Sequence, residues 1–596
     1  MRNSVSLLMF SVAFAFTAAL LGQGGRGGGQ AARGTSGPEA VGPAQNGQGT
    51  PAATVVPGSV EGHVISTTGE VLRKVSLTLR PNGRGGGSYG TTSANDGSFR
   101  FPSVDPGTYA LTGERTGYVR ETLSTPGGQT LPIEVVSEKN TSGVELKLTP
   151  QSVIAGHVFD EDGDPVQSVN VEVWRYTYPR GRRQLTQTQN GSTNDLSEFR
   201  IASLSPGRYF VSATARRSQP VQAILDVFRG GRGGRGASLG GPGRAASEPI
   251  EDYVTTYFPN LAEAAAASPI DLVAGSEVRG IEIRLRKSRF YRIAGTVSGL
   301  PAAPPESDNS KGKGKAKAGA SGVLLTLTPR SGGNRQIGAA AVNADGTFEF
   351  AAVPPGSYYI VAQVPQQAMT TRLPVDIGSG DLNNIAVRLQ PPIAVAGKLT
   401  VEGAQPNVRL ASVRLTFAPA ETGPGRNGQA QLNDDGTFQA TLNVDAYIVE
   451  AGGMPDGYYL KSVKLAGREM PDATLDLNYG GGQVDVVLAP AAGDITGTVQ
   501  NSHGDPATSV QVTAVPISGS LRKDMNKLVT TDAMGNFTLH GLPTGEYKIF
   551  AWEEVETNAW MDRDYRQPFE TRAASVKVDE STTPTVQLKL IERGTR

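Results

Sequence analysis

One pattern recurs five times along the chain, and it limits the possible folds more than any other feature. Each copy opens on a short apolar stretch centred on a glycine: Val60-Glu61-Gly62-His63-Val64, Ile154-Ala155-Gly156-His157-Val158, Ile293-Ala294-Gly295-Thr296-Val297, Val395-Ala396-Gly397-Lys398-Leu399 and Ile495-Thr496-Gly497-Thr498-Val499. An alternating strand follows, such as Val75, Leu77, Leu79 or Val169, Val171, Val173. Next comes a turn that leads into a phenylalanine strand, as in Asn95-Asp96-Gly97-Ser98-Phe99 and Asp435-Gly436-Thr437-Phe438. Asp-Gly is a strong hairpin signal because glycine tolerates the positive φ of the turn. A second turn (Pro106-Gly107, Pro206-Gly207, Pro355-Gly356, Pro543-Thr544-Gly545) releases a tyrosine strand. The fourth copy lacks that turn and reads as degenerate. Phe and Tyr stand ten residues apart in four copies and nine apart in the fourth. Each copy closes on one more alternating strand, such as Val144, Leu146, Leu148.

Six or seven short strands, each with one apolar face, need a second sheet to cover that face. The expected fold class is therefore all-β, a tandem array of five small β-sandwiches, with the Phe and Tyr of each copy meeting in its core. The expected modules are 58–150, 151–288 with an Arg/Gly-rich insertion near 216–248, 289–391 with a Lys/Gly-rich loop near 301–320, 392–491, and 492–596 with an aromatic C-terminal segment. Leu148 lies only eight positions before Gly156, as Leu389 does before Gly397. Joints this short predict head-to-tail beads with little swing. The best short helical candidate is Ala262–Ala267.

These glycine, Asp-Gly-x-Phe and Pro-Gly-x-Tyr motifs resemble the carboxypeptidase regulatory-like domain over about four-fifths of the chain. The resemblance implies a Greek-key sandwich of prealbumin-like or immunoglobulin-like type, related to the Cna B-type and starch-binding-like folds. It also implies that the array is similar to secreted multidomain proteins of environmental bacteria such as acidobacteria. Carbohydrate binding is the commonest role that it implies, without site residues to carry over.

The N-terminus carries Arg2 and an apolar run from Leu7 to Leu21, too short for a membrane span, which needs about 20 residues. Residues 1–22 read as a secretory signal peptide and 23–57 as a Gly-rich linker. The mature chain is thus expected outside the cytoplasm, without a stable membrane span. Its 56 basic and 56 acidic residues balance, so steering toward nucleic acid is not expected. The absence of Cys excludes disulfides and thiol chemistry.

Catalytic and metal constellations do not stand out. Carboxypeptidase chemistry needs two His and a Glu on one open zinc. His63, His157, His503 and His540 fall in separate copies or strands, and no His-Glu-x-x-His occurs. No catalytic residue, metal or cofactor is expected. The acidic run with Asp160, Asp162 and Asp164 offers oxygen ligands for calcium, but it sits where sister copies place a hairpin turn. Sugar sites stack rings on exposed aromatics. The fifth copy is richest in them, which makes Trp552, Trp560 and Tyr565 the candidate carbohydrate-binding residues. The other reading of that segment is a cap on the last sandwich. Trp174, Tyr176 and Tyr178 alternate on one strand as a second candidate.

The expectation is an exported, non-enzymatic binding and spacer protein of the cell envelope, with glycans or other envelope proteins as partners. The alternatives are a purely structural adhesin or scaffold and an accessory subunit of an extracellular hydrolase.

Overall fold

The computed structural model describes residues 56–592 apart from 84–86, 125–129, 216–249, 301–321, 331–335, 365–366, 368, 404–409, 422–424, 455–456 and 581–582. The expected signal peptide, the Gly-rich linker up to 55 and the two basic insertions lie outside the described residues.

The repeats form five sandwiches, each with its own apolar cluster; four have two separate sheets, and in the fifth a short parallel pairing of Gly545–Trp552 with Thr585–Ile591 joins the two layers into one seven-stranded sheet. The first shows the plan. Strand Gly58–Ser66 sits at the centre of a three-stranded sheet, antiparallel to Ser98–Val104 and parallel to Asn140–Leu148. The facing sheet is built on Ser76–Pro81 and Gly107–Glu114. Burial along Gly58–Ser66 alternates, which puts Val60 and Val64 in the core and His63 in solvent. Every module repeats the parallel pairing of its first strand with its last.

The central glycine is dictated by that pairing. A Cβ on Gly62, Gly156, Gly295, Gly397 or Gly497 would lie 1.8–2.1 Å from a carbonyl oxygen of the last strand, so no larger residue fits. The Phe of each repeat stands directly opposite: Gly62 against Phe99, Gly156 against Phe199, Gly295 against Phe348, Gly397 against Phe438 and Gly497 against Phe537.

The repeat tyrosines are buried in the same clusters as the phenylalanines. Each hydroxyl donates to the carbonyl four residues upstream: Tyr109 to Asp105, Tyr209 to Ser205, Tyr358 to Pro354, Tyr447 to Asn443 and Tyr547 to Pro543, at 2.8–3.1 Å. A buried hydroxyl thus keeps a partner while fixing the turn that precedes its strand. The fourth module keeps this bond without the Pro-Gly turn. Its departure is topological: strand Tyr458–Leu465 joins the first sheet beside Val484–Pro490.

The helical candidate reduces to a single 3-10 turn at Ala264–Ala266. A short α-helix that was not expected occurs at Arg563–Arg566.

The bead arrangement needs correction. Modules that are not chain neighbours touch. The hairpin joining strands Asn170–Thr177 and Gln184–Ser192 reaches out of the second module to the fourth and fifth. Arg180 pairs with Glu450 at 3.6 Å, and the Arg182 guanidinium donates to the Ala420 carbonyl. Neighbouring modules are also bound tightly. Ile250–Val254 of the second module pairs with Arg286–Phe290, the start of the long strand Arg286–Ser298 that enters the third. Arg372 and Asp445 form a largely buried 2.8 Å ion pair between the third and fourth. Asp524 accepts from the Leu460 N–H at 3.0 Å between the fourth and fifth.

Candidate functional site

The predicted carbohydrate residues do not form an open platform. Trp552 is 1% exposed and Trp560 is 6% exposed. The Trp552 indole N–H donates to Thr513 Oγ1 at 2.9 Å, and its ring lies on Phe550 and against the edge of Phe569. Asp562 caps the short helix by accepting from the Tyr565 N–H at 2.9 Å, which holds the Tyr565 ring beside Trp552. Such a cluster is too apolar to leave in water, and the second module covers it. Tyr178 of the reaching hairpin meets Tyr565 edge-to-face at 5.5 Å, and Arg175 pairs with Glu556 at 3.1 Å. Burial pushes the Tyr178 hydroxyl up to about 12. A Cβ on Gly181 would lie 2.6 Å from Met561, so the hairpin tip fits closely. The aromatic segment is thus an inter-module lock rather than a sugar platform.

The second aromatic candidate belongs to the same structure. Trp174 is buried and donates to Ser212 Oγ at 2.9 Å. Tyr176 meets Phe210 and carries the Arg183 guanidinium over its ring at 3.7 Å.

The remaining candidates serve local structure. Asp160 accepts from the N–H groups of Asp162 and Asp164 at 3.0 and 2.9 Å, which closes the acidic run into a turn, and Glu161 pairs with Lys287. His63 is exposed, His157 stacks on Phe159, His503 sits in a turn, and His540 contacts Asp494 at 2.9 Å. Among the described residues, no group of three or more His, Cys, Asp or Glu is placed to hold a metal ion. No helix among them is long and apolar enough to cross a membrane.

Sequence reasoning missed a groove of about 920 Å³ on the fourth module. It crosses the outward face of strand Ile393–Val401, with the small residues Ala394, Ala396 and Gly397 as its floor. Gln431 and Gln439 line one side, and Gly481, Gly482 and Gln483 the other. The parallel partner of this strand begins only at Gly397 opposite Val484. In the first module, pairing starts earlier, at Ser59 opposite Asn140. The glycine run Gly480–Gly482 is the sequence signal that marks the gap.

Two family matches bear on these modules. Residues 59–138 match the carboxypeptidase regulatory-like domain. The first module is thus similar to that domain over most of its length. The other four share its first-to-last strand pairing, its Gly–Phe opposition and its tyrosine bond. Residues 308–383 match the second β-sandwich domain of the BOS complex subunit NOMO1-like family. A search of curated proteins gives no match. Among solved structures, the Bacillus anthracis TIE protein is 13% identical, with 56% of this chain and 51% of that chain covered and a TM-score of 0.16. The chain thus spans about half the length of that protein. A streptococcal ancillary pilin is 11% identical over 56% of this chain and 99% of its own, with a TM-score of 0.18. GBS52, the minor pilin of Streptococcus agalactiae, is 11% identical over 39% and 96%, with a TM-score of 0.20. Likeness at this level says nothing of what the present chain binds.

Proposed function

We propose that the chain is an exported, non-enzymatic binding and spacer protein of the cell envelope, whose five sandwiches present glycan-contacting surfaces in a fixed arrangement. The lock between the second and fifth modules carries this reading. A chain selected for length alone gains nothing by tying distant modules together. Fixed spacing matters when several weak surfaces act on one extended ligand, because each contact raises the effective concentration of the next. The open, amide-lined groove on the fourth module supports a hydroxyl-rich ligand.

The same locked joints favour a second reading, a structural scaffold that contacts other envelope proteins. A glycan array probed with the full mature chain separates the two. Binding of polysaccharide without turnover is the expected result. A flat array with co-purification of one envelope protein selects the scaffold, and depolymerisation of a bound glycan defeats the non-enzymatic reading.

A further inference from the structure

We propose that the groove of the fourth module binds a neutral polysaccharide, with Tyr479 as the ring on which a sugar stacks. The proposal rests on the reading of the chain as a glycan-contacting protein and gives that reading a site and a ligand class.

Comparison of the five modules shows what sets the fourth apart at this face. At the outward position next to the central glycine, the cross-strand pairs are Glu61 with Arg100, Ala155 with Arg200, Ala294 with Glu349, Ala396 with Gln439 and Thr496 with Thr538. Long charged side chains cover this face in the first three modules. Arg200 reaches Glu277 at 3.6 Å, and Glu349 reaches Arg292 at 3.7 Å. The fifth has two threonines and no glycine run before its last strand. Only the fourth combines a small floor residue, an uncharged amide and a retracted last strand.

The lining chemistry selects the ligand. Each side-chain amide both donates and accepts, as a sugar hydroxyl does. Gln431 and Gln439 are exposed, and their amides make no hydrogen bond to the described residues. The groove volume falls in the range of roughly 300–1,000 Å³ found for ligand sites. Lys398 is the one charged residue among those that line the groove, and it stands opposite Asp485 across the strands, whose carboxylate accepts from the Gln483 amide at 2.8 Å. One lysine facing a carboxylate among uncharged amides favours an uncharged chain over a uronate or sulfated one.

Tyr479, outside the lining itself but on the loop that brings Gly481, Gly482 and Gln483 to the groove, is the aromatic side chain assigned to the sugar's apolar face. It is 94% exposed, the most open of the large apolar side chains in the described residues. It stands two positions before Gly481, which lines the groove. An aromatic held in water on a glycine-rich loop has no packing role in this sandwich. A sugar ring presents a flat C–H face, and covering both surfaces removes apolar area from water.

Affinity electrophoresis of the full chain tests the site, with galactomannan, xylan, mixed-linkage β-glucan and dextran as neutral probes and polygalacturonate as the anionic one. At least one neutral polymer is expected to retard the wild type. Tyr479→Ala and Gln439→Ala should each weaken that retention about tenfold, a change of about 1.4 kcal/mol. Ala396→Trp, which fills the floor, should abolish it. All three positions are exposed, so circular dichroism should stay unchanged. Retention that survives all three variants overturns the site and leaves glycan binding standing. No retention by any polymer removes the glycan reading with it. Retention by polygalacturonate alone, lost in Lys398→Gln, overturns the neutral class.

Discussion

Gly62 and Phe99 face each other across two antiparallel strands, and the Phe ring fills the space above the bare backbone. A Cβ on Gly62 would lie 2.8 Å from the tip of that ring and 1.9 Å from the Val144 carbonyl oxygen. The glycine lets the last strand come close, and the phenylalanine covers what the glycine leaves open. The same opposition occurs in all five modules, so one substitution type should damage each of them alike.

Gly497→Ala is the sharpest case. Its Cβ would sit 2.1 Å from the Val586 carbonyl oxygen and 2.7 Å from the Phe537 ring. The neighbour on one side is backbone and cannot rotate away. A loss of about 3 kcal/mol is expected in the fifth module, at the upper end for overpacking. Urea unfolding followed by tryptophan fluorescence reads it; an unchanged midpoint counts against the close strand approach.

Tyr547→Phe keeps the ring and removes the hydroxyl that donates to the Pro543 carbonyl at 3.0 Å. The side chain is fully buried, so the carbonyl loses its partner without gaining water. The expected cost is about 1 kcal/mol. Tyr447→Phe should cost a similar amount in the fourth module, although that module lacks the Pro-Gly turn. Paired denaturation curves check both.

Tyr178→Ala opens the lock. The ring is buried against Tyr565 and the aromatic cluster of the fifth module. Removing it should weaken the joint by on the order of 3 kcal/mol. The individual cores should hold, because Tyr178 belongs to none of them. Hydrogen exchange should therefore speed up across Trp560–Phe569 but not in strand Gly545–Trp552 near Tyr547. Uniform exchange across the fifth module would show that the lock and the core are one unit.

Acid should loosen the hairpin turns. Hydrogen bonds from Asn536 and Met534 hold the Asp532 carboxyl below its usual range, and Ser98 and Thr437 do the same for Asp96 and Asp435. A depressed folded value means that the stabilisation is fully present above the unfolded pKa, near 3.9. It is lost as pH falls through the lower folded value. Asp532→Asn keeps the acceptor oxygen and removes the titration, so its turn should lose that step. Amide chemical shifts of Met534 and Asn536 from pH 5 to pH 2 report the difference.

The modules were legible in the sequence because their signals are local. A period of two, an Asp-Gly turn and a fixed Phe-to-Tyr distance each act within a few residues. The lock was not legible, because Tyr178 and Tyr565 meet across 387 positions of sequence. One clue was present. Trp174, Tyr176 and Tyr178 on one strand, and Trp560, Tyr565 and Phe569 near the end, are aromatics beyond what the repeat needs. Two surplus apolar sets either face a ligand or cover each other, and the sequence cannot choose between these. The groove stayed hidden for another reason. It arises where Val484–Pro490 pairs late, and register is a property of two strands together.

The parallel contact between the first and last strands of every module also has a mechanical meaning. The chain enters each sandwich along one of these strands and leaves along its neighbour in the same direction. Tension applied to the two ends therefore slides the strands past each other and strains their hydrogen bonds together, instead of peeling them one at a time. A protein tethered at one end and holding a load at the other would resist extension module by module until a whole ladder gave way at once.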